Sequence, residues 1–238
     1  EAPGLFYGYV TQGIVQKEDI TENGIKYIKQ DGSVGYYQTV NKTTPVAGDV
    51  KYVDRNGDGV VDDNDRDIIG NPNPDFTYGF QTKVSWKSLS LSASFNGVQG
   101  RDILNVGNRY NNTPGTKSNN VTRKAFQNMW TDENPSNLYP KSTFVVQNMV
   151  MDRYVEDGSY LRCSDITLSY VLPAKWTNKI GIKNTSVYAS VKNAFVITDY
   201  SGYDPEVNSF AFDGLRPGVD MNSYPTPRSF VFGLNLTF

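Results

Sequence analysis

The acidic segment Asp54–Asp65 is the part of the sequence whose residue types and spacing could do chemistry. It reads DRNGDGVVDDND and matches the calcium-loop pattern D-x-[DN]-x-[DN]-G over its first six positions. Gly59 stands at the sharp turn, where a residue without a Cβ accepts a positive φ. Carboxylate, amide and carbonyl oxygens are the ligands that Ca²⁺ prefers. The predicted ligands, in loop order, are Asp54, Asn56, Asp58, Val60 through its carbonyl, Asp62 and Asp65.

The acidic loop departs from a helix-flanked calcium site in two ways. Asp65 replaces the usual Glu at the last position, and its shorter carboxylate reaches an ion less easily with both oxygens. The flanking sequence also lacks long helical patterns. We therefore expect a structural Ca²⁺ that pins a loop, and no catalytic metal. The alternative is an Asp/Asn/Gly turn satisfied by its own backbone hydrogen bonds.

Composition excludes several functions. The 238 residues contain no His and only one Cys, Cys163, which removes the commonest general base and the usual zinc ligands. A formal net charge of -2 gives no basic surface for nucleic acid, so we expect no nucleic-acid partner. We expect that the chain has no catalytic residues and that the protein is not an enzyme. A glycan hydrolase using Asp204 and Glu206 is the weakest alternative, because nothing in the sequence fixes the separation of these carboxylates.

Alternation of apolar and polar residues in several runs from Phe76 onward predicts β-strands, although the parity breaks near Asn193. The predicted strands cover residues 76–86, 89–96, 160–172, 186–196 and 230–238, and a tight hairpin at Lys87 and Ser88 joins the first two. One face of each strand is apolar. The other face is polar. If the strands form a barrel, we expect four residues of this face to help line its water-filled lumen: Gln81, Lys83, Asp165 and Lys192. By parity Cys163 also falls on the polar face.

The strands and their connections predict an all-β fold, an antiparallel transmembrane β-barrel. Each strand has about the 10 residues that a tilted strand needs to cross a bilayer. The long connections 1–75, 97–158 and 199–226 fall at one end of the strands, and the short ones at the other, as in outer-membrane barrels. We therefore divide the chain into an extracellular loop region, 1–75, which carries the acidic loop, and barrel strands with external loops, 76–238.

Two further expectations accompany this fold. Five strands cannot close a barrel, so they need partner strands from a larger protein. The alternative is a soluble calcium-dependent carbohydrate-binding or adhesin module, a β-sandwich in which the apolar faces of the strands pack on one another.

Several segments together carry a resemblance to a known family. They read GLFYGYVTQGIVQ, GDVKY, DRNGDGVVDDNDR, IIGNPNPDFTYGF, FNGVQGRDILN, DGSYLRCSDITLSYVLP, SGYDPEV and SYPTPRSFVFGLNLTF. In this order they resemble the C-terminal portion of SusC/RagA-type TonB-linked outer-membrane proteins, and the match runs from end to end of the chain.

The resemblance implies a TonB-dependent barrel of about 22 strands, filled by an N-terminal plug. It also implies a nutrient transporter in the bacterial cell outer membrane, surrounded by outer-membrane lipid. The implied partners are a SusD-like surface lipoprotein and the TonB complex, which would act through an N-terminal part preceding this chain. The implied cargo is an oligosaccharide or a peptide. Import of an oligosaccharide would make the protein a glycan importer. The ending at Phe238 is similar to the β-signal that barrel-assembly machinery reads.

Overall fold

The computed structural model describes residues 4–113, 120–142, 149–177 and 184–237, and within these ranges β-strands predominate. The strands are β1 Phe6–Tyr9, β2 Thr11–Ile14, β3 Ile20–Thr21, β4 Gly24–Ile28, β5 Val34–Tyr37, β6 Thr39–Val40, β7 Val50–Tyr52, β8 Val60–Val61, β9 Arg66–Gly70, β10 Phe76–Trp86, β11 Leu89–Gln99, β12 Asp102–Asn105, β13 Val155–Asp157, β14 Tyr160–Val171, β15 Asn184–Thr198, β16 Val219–Asp220 and β17 Ser229–Thr237. The helices are α1 Val106–Asn112, α2 Arg123–Asn128 and α3 Ala174–Thr177. Phe238, at the end of the predicted final strand, lies outside the described residues.

Within the described part of the chain, no helix combines the length and the apolar character needed to cross a bilayer.

The chain divides into two compact units, each made of separate stretches of sequence. The first unit, called the loop unit here, comprises Glu1–Asn73, Asp102–Glu156 and Asn208–Ser223. The second, called the sheet unit, comprises Pro74–Arg101, Asp157–Val207 and Tyr224–Phe238.

The sheet unit is built on one five-stranded antiparallel sheet with the strand order β10-β11-β14-β15-β17. Strands β10 and β11 pair without a break from Phe76 opposite Gln99 to Trp86 opposite Leu89. The two-residue turn predicted between them is confirmed, and Lys87 within it has a φ of 53°. A positive φ in such a turn suits the right-handed twist of the two strands.

An irregularity in β14 contradicts the prediction about the face of the sheet on which Cys163 lies. The register of β11 against β14 shifts between Ser94 and Phe95, which leaves Cys163 opposite Phe95. Directly opposed residues share a face, so Cys163 lies in one row with Phe80, Phe95 and Phe195. The expectation that Cys163 lies on the polar face is therefore wrong. Strict parity fails because a bulge adds one residue to one strand and reverses the facing beyond it. The Cys163 side chain is fully buried.

The chain passes between the two units at five points, after Asn73, Arg101, Glu156, Val207 and Ser223. These points precede β10, β14 and β17 and follow β11 and β15. Because neighbouring strands of this sheet are antiparallel, all five points lie at the same end of the strands. The connections β10–β11 and β14–β15 lie at the other end.

Buried tyrosines form much of the core of the loop unit. Tyr27, Tyr37 and Tyr52 are each almost fully buried. The hydroxyl of Tyr27 donates to the carbonyl of Asp54 at 2.7 Å, and the hydroxyl of Tyr37 accepts from the backbone N–H of Tyr52 at 3.1 Å. Each phenol thus buries its ring while its polar end keeps a partner, which avoids the cost of an unpaired buried hydroxyl.

A tyrosine ring lies over a directly opposed glycine in both units. In the loop unit Tyr27 pairs with Gly35, and a Cβ added at Gly35 would stand 2.3 Å from the ring carbon Cζ. The same arrangement recurs in the sheet unit at the pairs Tyr78–Gly97 and Tyr188–Gly233. The ring covers backbone that glycine leaves bare, and glycine leaves room for the ring.

We predict that Gly35→Ala lowers the melting temperature of the protein. The added Cβ would collide with the ring of Tyr27, which is buried in the core, at a cost of about 1–3 kcal/mol. The matched control is Gly214→Ala in the same unit, where an added Cβ meets no atom within 4 Å. Thermal denaturation of the two variants checks the prediction, and equal melting temperatures would contradict it.

Candidate functional site

The acidic loop is organised at its start by Asp54, which follows β7. Its two carboxylate oxygens accept the backbone N–H groups of Gly57 at 2.6 Å and Gly59 at 2.8 Å. Gly57 and Gly59 have φ values of 76° and 85°, which explains why glycine stands at both positions. Burial raises the pKa of Asp54, and the two amide hydrogen bonds offset only part of that effect.

Asp65 closes the acidic loop from its far end. Its carboxylate is fully buried and accepts three backbone N–H groups, from Arg55 at 2.7 Å, Asn56 at 3.3 Å and Asp62 at 2.8 Å. Both oxygens of Asp65 are therefore engaged by the loop backbone. Asp65 therefore holds the start and the end of the loop together through backbone hydrogen bonds. The ligand pattern alone does not distinguish this role from binding an ion.

The remaining predicted ligands also bond to the loop itself. Oxygens of Asn56, Asp58 and Asp62 accept the backbone N–H groups two residues further on, at 2.8–2.9 Å. Among the residues that the structure describes, no group of three or more His, Cys, Asp or Glu residues is arranged to hold a metal ion. Each oxygen of a carboxylate has more than one lone pair, so the donor chemistry still suits a hard cation. The calcium set stays a prediction.

The polar face of the five-stranded sheet brings the predicted lumen residues together. Two neighbouring rows of register partners run across the strands. They are Gln81, Ser94, Asp165, Lys192 and Ser229 in one row, and Lys83, Ser92, Thr167, Ser190 and Val231 in the next. The carboxylate of Asp165 accepts the hydroxyls of Thr167 and Ser190, both at 2.7 Å. The prediction that Gln81, Lys83, Asp165 and Lys192 share one face is confirmed.

The opposite face of the sheet is apolar and exposed. Its rows of register partners include Val84, Leu91, Leu168, Ala189 and Phe232, and Trp86, Leu89, Tyr170, Val187 and Leu234. The exposed fraction is 79% for Phe232 and 68% for Trp86. An apolar face of this extent marks a surface that meets an apolar environment.

Asp204 forms a buried ion pair near the end of the polar face. Its carboxylate accepts Arg162 Nη2 at 2.5 Å, and both side chains are at most 5% exposed. It also accepts the backbone N–H groups of Glu206 at 2.9 Å and Thr226 at 3.0 Å. Burial raises the pKa of Asp204, but these hydrogen bonds and the charge of Arg162 outweigh burial and lower it overall.

The residues after Asp204 bond to the ends of β11 and β14. The carboxylate of Glu206 accepts the hydroxyl of Tyr160 at 2.6 Å and the amide of Asn96 at 3.0 Å. The carbonyl of Pro205 accepts Arg101 Nη2 at 2.5 Å. Asp204 and Glu206 are therefore occupied as acceptors that hold the loop to the sheet.

Sequence reasoning singled out Asp204 and Glu206 but missed their partner Arg162. The signal was present, because Arg162 is the one full positive charge between Tyr160 and Val171, within the alternating segment of β14. A charge at the end of a strand, beside a loop carrying two carboxylates, is a candidate for an ion pair.

We predict opposite labelling of two adjacent cysteine variants of the full-length protein in membranes. In a Cys163→Ser background, Phe232→Cys should react with a bilayer-soluble thiol reagent because position 232 lies on the apolar face. Val231→Cys, its matched control, should be protected from that reagent because position 231 lies in a polar row. Mass spectrometry of the labelled protein gives the two yields, and equal yields would overturn the assigned facing.

Comparison with known proteins places this geometry in a family. No known protein-family profile matches the chain. The chain is 35% identical over 201 residues to TonB-dependent receptor P26 of Formosa agariphila, which covers 81% of this chain and 20% of that protein. It is 33% identical over 243 residues to TonB-dependent receptor P3 of the same organism, with 100% and 22% covered. It is 34% identical over 194 residues to TonB-dependent receptor SusC of Bacteroides thetaiotaomicron, with 79% and 17% covered.

Solved structures give the same answer for the fold. The RagAB peptide importer in its open-open state matches with a TM-score of 0.66 and 26% identity, covering 99% of this chain and 22% of that chain. The chain thus spans 17–22% of the length of these relatives. They are receptors and importers, not enzymes, which confirms the expectation of no enzyme, and receptors of this kind are outer-membrane proteins. The chain belongs to the SusC/RagA family of TonB-linked outer-membrane proteins.

Proposed function

We propose that the chain forms part of the wall and the external loops of a TonB-dependent transporter, which imports oligosaccharides or peptides across the outer membrane. The observation that carries this proposal is the sheet with one exposed apolar face and one polar face. The apolar face suits lipid, and the polar face suits a water-filled or plugged lumen.

The edge strands of the sheet support the proposal that the sheet belongs to a larger barrel. Within the described residues β10 and β17 are its edge strands. Backbone groups at an edge have no water to bond to inside a bilayer, so an open edge in lipid is very costly. In the proposed transporter both edges pair with further strands of the same barrel.

The soluble β-sandwich alternative requires a second layer over the apolar face. Phe232 and Trp86 remain exposed in the described structure, which favours lipid as the neighbour of this face. That arrangement makes the calcium-dependent carbohydrate-binding or adhesin module the poorer account.

The proposed partners are those that the family resemblance implies, and the connections between strands give the proposed position of one of them. Loops 97–158 and 199–226 start and finish at one end of the strands, and we place the SusD-like surface lipoprotein against them on the external side. The TonB complex acts through the N-terminal part of the transporter. Oligosaccharide or peptide cargo passes along the polar face that carries Gln81, Lys83, Asp165 and Lys192.

We predict that cells lacking the full-length protein lose uptake of its cargo. The test supplies fluorescent mixtures of oligosaccharides and of peptides and measures the label that reaches the cell interior. Uptake should return with a plasmid copy and should fail again when TonB is deleted, because the transporter depends on energy supplied through TonB. Uptake of both mixtures that is unchanged in the deletion strain would contradict the proposed function.

We further propose that the acidic loop binds a structural Ca²⁺ through Asp54, Asn56, Asp58, Val60, Asp62 and Asp65. Its support is the ligand spacing and the oxygen-only donor set, together with two glycines in the conformation that such a loop needs. The ion would stabilise the loop unit by binding only its folded state.

We predict that Ca²⁺ in place of EDTA raises the melting temperature of the full-length protein in detergent. An ion present at 100 times its dissociation constant adds about 2.7 kcal/mol. Asp58→Asn, at an exposed carboxylate, should abolish most of this shift and change the melting temperature in EDTA little.

Asp65→Asn is the matched comparison at the other end of the loop. Its buried carboxylate accepts three N–H groups, so this variant should be less stable in EDTA as well, by about 1–3 kcal/mol. The calcium proposal fails if the wild type shows no shift with Ca²⁺, or if Asp58→Asn keeps the full shift.

A further inference from the structure

An open cavity of about 260 Å³ lies within the loop unit, and it is called the Tyr7 cavity here. Its volume is below the roughly 300–1,000 Å³ of pockets that enclose a whole drug-sized ligand, so it suits one ring of a longer molecule that continues outside. All the residues that line it belong to this unit. They include Tyr7, Tyr9, Asn41, Asp63, Arg66 and Met149.

The strand pair β1 and β9 supplies three of the side chains that line the Tyr7 cavity. Tyr9 is directly opposite Arg66 in the register, and Tyr7 lies two residues before Tyr9 on the same strand. Opposed residues and residues two apart share a face, so all three side chains lie on one side of this pair. Tyr9 is 3% exposed, whereas Tyr7 is 55% exposed. The ring of Tyr7 is therefore apolar surface that a ligand can cover.

An ion pair places hydrogen-bond donors and acceptors side by side in the Tyr7 cavity. Arg66 Nη2 donates to Oδ1 of Asp63, and Arg66 Nε donates to the hydroxyl of Tyr9 at 3.4 Å. That hydroxyl donates to the same Oδ1 at 3.1 Å. Across the part of the chain that the structure describes, Oδ2 of Asp63 has no hydrogen-bond partner, and this side chain is 77% exposed.

The backbone of the acidic loop fixes the position of Asp63. This residue begins a short 3-10 turn, Asp63–Asp65. The carboxylate of Asp62 accepts the N–H of Asn64, and the buried carboxylate of Asp65 accepts the N–H of Asp62, both at 2.8 Å. Groups that are already held in place lose less conformational entropy when a ligand binds.

The groups in the Tyr7 cavity match the chemistry of a neutral sugar ring. Each sugar hydroxyl both donates and accepts, so neighbouring hydroxyls need acceptors and donors side by side, as Asp63 and Arg66 offer them. The C–H face of a sugar can cover the exposed ring of Tyr7. A charged peptide side chain gains little from a pair whose charges already cancel. A purely apolar side chain would desolvate this pair without giving it new hydrogen bonds.

We propose that the Tyr7 cavity binds one sugar residue of an oligosaccharide cargo. The ring of Tyr7 packs against the face of the sugar, and Asp63 and Arg66 bond to its hydroxyls. This assignment rests on the proposed import function and selects oligosaccharide over peptide as the cargo class.

Titration calorimetry of the full-length protein in detergent tests the assignment. The probes are short neutral oligosaccharides released from starch, xylan, mannan and laminarin, with a mixture of short peptides as the competing class. The wild type should bind at least one of the oligosaccharide mixtures. Tyr7→Ala should weaken that binding roughly tenfold or more, because the apolar surface under the sugar is lost.

Tyr36→Ala is the matched control for Tyr7→Ala. Tyr36 is a partly exposed tyrosine of the same unit that does not line the cavity, so this variant should bind as the wild type does. Equal melting temperatures of the two variants would show that both fold.

Asp63→Asn gives a second reading that depends on charge. It keeps the shape of the side chain but replaces a charged acceptor by a neutral one, so neutral oligosaccharides should bind about five- to tenfold more weakly. Arg66 then lacks its counter-charge. This variant should therefore gain affinity for acidic oligosaccharides released from pectin, and the wild type should not share that gain.

The outcomes separate the sugar assignment from the import function. No oligosaccharide binding by the wild type, or equal affinity of the wild type and Tyr7→Ala, would overturn the assignment. Peptide binding that is lost in Tyr7→Ala would also overturn it, in favour of a peptide cargo. Oligosaccharide binding that depends on Tyr7, in a protein whose deletion leaves cellular uptake unchanged, would support the cavity and refute the import function.

Discussion

Backbone hydrogen bonding between antiparallel neighbours determines where every side chain of the five-stranded sheet points. Once β10 is paired with β11 through the two-residue turn at Lys87 and Ser88, the register of the hairpin is fixed. Successive strands then extend the same rows. A slip by one residue would turn the apolar rows toward the polar side, so the two-faced character of the sheet depends on this register. The apolar surface and the polar surface both follow from it.

The sheet was largely predictable because its signal is local. Alternation over ten or more residues specifies a strand and its faces without knowledge of any distant contact. The pairing of residues 76–86 with the following strand needed only the short turn between them. The facing of Cys163 was not predictable from parity, because the bulge beside it depends on how β14 accommodates both β11 and β15. A bulge leaves no reliable mark in the sequence of one strand.

The loop unit was harder to predict, because its contacts join residues that are far apart in the sequence. The backbone N–H of Ile14, for example, donates to the side chain of Asn137 at 2.7 Å. Short strands and buried tyrosines such as Tyr37 give no sustained period. In the acidic loop the spacing correctly predicted a tight Asp- and Gly-rich turn. It could not distinguish a carboxylate that binds an ion from one that clamps the backbone, as Asp65 does, since both uses place the same group at the same position.

The position of the five crossing points at one end of the strands also bears on how such proteins diversify. The three stretches of the loop unit join the strands at these five points, so a stretch can be lengthened, shortened or replaced without moving any strand out of register. Insertions at loops cost little because closure entropy grows slowly with length. The sheet can therefore stay constant as a frame while the segments of the loop unit change in length and sequence.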